Sequence, residues 1–172
     1  MYMKNLFKLA LASIVLSFSL IACENAEDGL VLPLMTAKID GVEWKAALPA
    51  AASTKTPDTT TVITGAPSIT SLDKQIALTF FGNQVGTYKL SAGTLKAECA
   101  LVYKKTASAT EDGNDYYVAG IAEVIVSKYD SEKKLVSGTF SATLFLNGNP
   151  LSDNQIKVTE GTFTNVKLII NN

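Results

Sequence analysis

The chain has 172 residues, 15 Lys+Arg against 16 Asp+Glu, a formal net charge of -1, and no histidine. Every basic residue is lysine, so the forked, bidentate donor suited to phosphate is missing and nucleic acid is excluded as a partner. Without histidine the chain also lacks the usual general base near neutral pH and the commonest zinc ligand, and no cofactor is expected.

Residues 1–22 read as a secretory leader. Lys4 and Lys8 supply the positive start, and Leu9 to Ala22 is an uncharged apolar run too short to cross a bilayer comfortably. Leu20-Ile21-Ala22-Cys23 resembles a lipobox, the bacterial signal at which Cys23 accepts a diacylglyceryl group and becomes the first residue. Two or three acyl chains, each buried methylene contributing ~0.8 kcal/mol, make a firm membrane anchor. Both leader lysines leave with the peptide, so the remainder carries 13 lysines against 16 acidic residues. Residues 23–34 read as an acidic tether, and Glu24, Glu27 and Asp28 resemble the export signal of surface lipoproteins in Bacteroidota. The expectation is an outer-membrane lipoprotein, on the cell surface or the periplasmic face.

Residues 35–172 read as one all-β domain. Cys99 has no partner once Cys23 is lipidated, so no disulfide staples it. Thr36 to Ile39 and Val42 to Lys45 flank Asp40-Gly41, the dipeptide of a tight primed hairpin. Ala46 to Asp58 reads as a loop, with a helix possible at Ala50-Ala51-Ala52. Strands follow at Thr59–Thr64, Lys74–Phe81, Gly86–Ser91 and Ala97–Tyr103, the last with Cys99, Leu101 and Tyr103 on one face. Tyr116 to Tyr129 is one long strand, or two meeting at Gly120. After the charged turn Ser131–Lys134, Leu135 to Leu146 places Val136, Phe140, Ala142 and Leu144 on one parity and Ser137, Thr139, Ser141 and Thr143 on the other. The final strand is broken at Glu160-Gly161 by a bulge or tight bend. About nine or ten strands with short connections predict an antiparallel meander, as a β-sandwich or flattened barrel.

The ordered elements Ala37-Lys38-Ile39-Asp40-Gly41 with Trp44, Gly86-Thr87-Tyr88, Ser127-Lys128-Tyr129-Asp130, Val136-Ser137-Gly138-Thr139-Phe140 and Gly161-Thr162-Phe163-Thr164-Asn165-Val166 carry a resemblance. Together they resemble an uncharacterised family of Bacteroidota lipoproteins, catalogued as a domain of unknown function. The resemblance implies an all-β lipoprotein and offers no catalytic residues.

Candidate chemistry is sparse. Cys99, between apolar neighbours and without an imidazole, reads as a core thiol. Glu111, Asp112 and Asp115 crowd one loop with oxygen ligands suited to Ca²⁺, although acidic hairpin tips are common. Glu98 and Glu123 lie within strands and would form the carboxylate pair a glycoside hydrolase needs if both faced one cleft; Glu123 shares its parity with Ile121 and Ile125, which leaves an apolar interior open to it, but the favoured reading is that it sits on a solvated strand face. Tyr116 and Tyr117 must point to opposite faces, so one is expected to be open to a sugar ring or another ligand. Trp44 is expected in the core. The functional expectation is a non-enzymatic binding module for a glycan or protein partner. The alternative is a lipocalin-like carrier of a small apolar ligand, which a barrel filled by Phe140, Phe163, Leu144 and Val126 would eliminate.

Overall fold

The computed structural model describes residues 33–54, 59–70, 73–91, 96–105 and 116–171. Cys23, Glu111, Asp112 and Asp115 lie outside them, as do the leader and most of the tether. The described residues form ten strands: β1 Leu34–Ile39, β2 Val42–Lys45, β3 Ala50–Thr54, β4 Thr60–Gly65, β5 Gln75–Phe80, β6 Gly86–Leu90, β7 Cys99–Lys104, β8 Tyr116–Asp130, β9 Leu135–Leu146 and β10 Gln155–Asn171. All belong to a single sheet. No helix occurs among the described residues.

That sheet closes on itself. β9 pairs along its length with β8 on one side and β10 on the other, completing the circuit β3-β4-β5-β7-β8-β9-β10. Seven strands cannot alternate in direction all round a ring, so one neighbouring pair must run parallel. It is β10 with β3, from Leu168↔Ala51 to Asn171↔Thr54. The expected all-antiparallel pattern therefore holds everywhere except this seam. Residues 50–54, expected as loop or helix, are a strand because the seam needs them. Pairing on both edges outweighs the weak strand propensity of three alanines.

The long strands bend by bulging. Along one edge β10 pairs first with β1 and then with β3, and β8 pairs likewise with β7 and then β6. Register shifts fall at Val158/Gly161 and Phe163/Val166 in β10 and at Ala119/Ile121 and Val126/Lys128 in β8. An extra residue unpairs locally and swings the strand, which is what lets one edge serve two neighbours. Glu160 and Asn165 take positive φ of 51° and 48° in the β10 shifts, and Ser137 Oγ accepts the Asn165 N–H at 2.8 Å. The Asp40-Gly41 turn has φ of 49° and 81°, the double left-handed geometry of the primed hairpin. Asp40 then fixes the hairpin to β10: its N–H donates to the Lys157 carbonyl at 2.9 Å, and its Oδ1 accepts the Lys157 N–H at 2.8 Å.

One apolar cluster fills the interior, including Phe80, Phe163, Met35, Leu101 and Leu144. Trp44 joins it with only its polar edge engaged, donating Nε1–H to the Lys74 carbonyl at 2.7 Å. Phe140 and Phe163 sit 6.4 Å apart at 30°, and each lies opposite a glycine of the facing strand: Phe140↔Gly161 and Phe163↔Gly138. The glycines make room for the rings. A Cβ at Gly138 would meet the Ile125 carbonyl and, at 2.5 Å, Phe163 Cζ. One at Gly161 would meet the Phe140 carbonyl and the Phe140 ring.

Because backbone as well as side chain blocks the space, Gly138→Ala is expected to cost roughly 2–3 kcal/mol of stability. Urea unfolding measures this; a loss below about 0.5 kcal/mol, the level of an ordinary surface change, would contradict the packing.

Candidate functional site

The outward faces of β6, β8, β9, β10, β1 and β2 form one continuous surface. Strand registers align a row across it: Thr87, Ile125, Thr139, Thr162, Thr36 and Lys45. Beside it run Lys89, Glu123 and Ser141, then across the β10 bulge Thr159, Lys38 and Glu43. Thr143, paired with Lys157 and Ile121, begins a third. Neighbouring strands lie about 4.8 Å apart and same-face residues about 6.8 Å apart, so the hydroxyls make a shallow grid. Thr36 and Thr162 share a hydrogen bond at 2.9 Å. Thr87, Thr139, Ser141 and Thr159 are exposed, and the grid carries exposed Ile121 and Ile125 within it.

Among the described residues, two ion pairs lie on this face. Lys38 Nζ meets Glu160 Oε1 at 2.8 Å, and Lys89 Nζ meets Glu123 Oε1 at 2.9 Å. The hydrogen bond to each carboxylate raises each lysine above its ordinary pKa, with the opposite charge adding to it. Between β1, β2 and the Glu160 bulge the surface dips into an open depression of about 450 Å³ edged by Thr36, Lys38, Glu43, Lys45 and Glu160. Between these charges the surface offers hydroxyl donors and acceptors with two apolar spots, Ile121 and Ile125.

Glu123 lies on the solvated face, the favoured of the two readings, and not in the interior. Ala122, Val124 and Val126 face inward, while Ile121 and Ile125 are 52% and 42% exposed. β8 is apolar on both parities, so alternation within it leaves the inner face open. The bulge at Gly120 and the partners Phe140 and Ala142 decide it. Glu98 and Glu123 both engage Lys89, but as fasteners. Glu123 takes the ammonium, while Glu98 Oε2 accepts the Lys89 N–H at 3.3 Å and Glu98 N–H donates to the Lys89 carbonyl at 3.0 Å. This closes part of the free edge of β6.

Tyr116 and Tyr117 do point to opposite faces. Tyr117 packs against the core beside Tyr103, with rings 6.4 Å apart. Tyr116 is outward and half-buried, with Lys104 Nζ 5.6 Å from its ring centre. About 20 Å of strand separates Tyr116 from Glu123, so the structure does not unite them. Phe145, on the outward parity of β9, lies over Gly120, where a Cβ would meet its ring at 2.7 Å. The residues that sequence reading passed over are Thr36, Lys38, Thr87, Thr159, Glu160 and Thr162. Only the β9 hydroxyl parity signalled this surface, because the rest depends on cross-strand register.

Cys99 is fully buried, its thiol directed at the Tyr88 carbonyl, 3.4 Å away. Burial pushes its pKa up to about 11, with Glu98 and Glu123 adding to the effect. Burial likewise raises Tyr88 and Tyr103. Each is an acid whose folded pKa exceeds its free value. The stability it contributes is complete below the free pKa, 9.0 for the thiol, and is lost as pH rises through the folded one. Urea unfolding should therefore show a midpoint that falls between pH 9 and about 11, more gently in Cys99→Ala. Alkylation of native Cys99 at about pH 8, followed by peptide mapping, should be negligible until the chain is unfolded. Labelling at the rate of a free cysteine would contradict this environment.

Comparison with known proteins places these elements in a family. A family model described as "Domain of unknown function (DUF6252)" matches residues 32–167, and the chain belongs to that family. No curated protein and no solved structure matches the chain.

Proposed function

We propose that this DUF6252 chain is a lipid-anchored, non-enzymatic binding module of the bacterial outer membrane, and that its hydroxyl-rich face receives an extended, uncharged glycan. The observation that carries the reading is the in-register row Thr87, Ile125, Thr139, Thr162 and Thr36 across five strands. Hydroxyls both donate and accept, so a grid of them suits a ligand that is itself covered in hydroxyls. Exposed Ile121 and Ile125 suit the C–H faces of sugar rings. Lysines and glutamates are nearly balanced on this face, two of each joined in ion pairs, so it has no strong single-sign field to select an ionic ligand.

Two further features support a surface that binds over an interior that carries or cleaves. Phe140, Phe163, Leu144 and Val126, at 3%, 0%, 0% and 2% exposure, occupy the lumen a carrier would need. Glu98 and Glu123 are both engaged by Lys89. The anchor rests on Leu20-Ile21-Ala22-Cys23, and the Bacteroidota setting rests on Glu24, Glu27 and Asp28 with the family resemblance.

The test is retention of the full chain on affinity gels of neutral glucans, xylans and mannans. The Thr139→Lys/Ser141→Lys variant, altered at two exposed positions, should bind at least about tenfold more weakly while unfolding normally. Silence of the wild type on every gel, or equal binding by the variant, would overturn the glycan reading. Membrane fractionation tests the anchor separately: Cys23→Ala should leave the membrane fraction, and persistence there would overturn it.

A further inference from the structure

β2 ends the sheet order, and its outer edge is a short self-complementary template. In a two-residue hairpin the pair flanking the turn exchanges both backbone bonds, here Ile39 with Val42. Alternation makes Ala37 with Trp44 the next such pair, and the Ala46 N–H to the Met35 carbonyl at 2.9 Å continues the series. The N–H and C=O groups of Glu43 and Lys45 therefore point away from β1, toward the open edge. The template stops at Ala47, whose N–H already donates to the Ala66 carbonyl at 2.8 Å.

The side chains of Glu43 and Lys45 are both exposed on the outward face. Lys38 gives its ammonium to Glu160, and among the described residues neither Glu43 nor Lys45 sits in an ion pair. A single-sign edge would repel a copy of itself, which is how edge strands are usually guarded. This edge has one charge of each sign, two residues apart, on the two residues whose backbone is free.

We propose that β2 is a self-recognition edge: two copies of the chain join β2 to β2 in antiparallel fashion about Trp44. Glu43 of each then lies opposite Lys45 of the other. Both opposed residues have outward backbone groups, so the arrangement satisfies four backbone hydrogen bonds and two opposite-charge pairs at once. Registers centred on Glu43 or Lys45 satisfy the backbone equally well but set Glu against Glu or Lys against Lys. The contact is isologous and closes at two copies, making the two outward faces one surface. This inference stands apart from the glycan reading and does not use it.

An edge this short buries little area, so the dissociation constant is expected on the order of 0.1 mM. Sedimentation velocity of the full chain in detergent micelles, over rising concentration, should show reversible dimers. Glu43→Lys alone and Lys45→Glu alone should each weaken self-association about tenfold, since every opposed pair becomes repulsive. Mixing those two variants should restore dimers, because the edge of one chain then carries only lysines and the edge of the other only glutamates. The double swap Glu43→Lys/Lys45→Glu should self-associate like the wild type. A wild type that stays monomeric to about 1 mM would overturn the proposal. So would single variants that dimerise unchanged, or a mixture and double swap that remain monomeric.

Discussion

A ring with an odd number of strands must contain one parallel pair, and the rest of this fold is arranged around that seam. β9 supplies hydrogen bonds on both sides, to β8 and β10, and so commits the last third of the chain to a continuous antiparallel run. The circuit then has to return to β3, which by direction can meet β10 only in parallel. A seam of four paired residues is short. It holds because β10 arrives already fixed by β9 and β1, and β3 by β4.

Closure explains the bulges, and the bulges explain the outer face. β10 must leave β1 to reach β3, and β8 must leave β7 to meet β6, so each shifts register between its two neighbours. The shift at Gly120 turns Glu123, Ile121 and Ile125 outward, and the one at Glu160 delivers a carboxylate to Lys38. Inside, the reciprocal Phe140–Gly161 and Phe163–Gly138 pairs let β9 and β10 approach closely while two phenyl rings fill the lumen. The inside is full, and on the outside hydroxyls and two lysine–glutamate pairs face solvent.

Much of this was legible from residue order. The Asp40-Gly41 hairpin, the Glu160-Gly161 break, the β9 alternation, buried Cys99 and Trp44, and the opposed Tyr116 and Tyr117 all depend on neighbours close in sequence. What escaped depends on partners far away. Ala50–Thr54 is a strand only because β4 and β10 flank it. The sequence of β8, apolar on both parities, left two faces open for Glu123; Phe140 and Ala142 settle the solvated one by drawing the other parity inward. The hydroxyl row joins residues as distant as Thr36 and Thr162, and no local pattern encodes that register.

Double-sided pairing of β9 is the claim on which the closed ring stands, and native-state hydrogen exchange reads it most directly. If β9 bridges β8 and β10, amides from Thr139 to Leu144 should be the slowest in the domain, opening only with global unfolding, while Glu43 and Lys45 on the open edge exchange quickly. Central β9 amides exchanging as fast as those of β2 would mean that the ring is not closed.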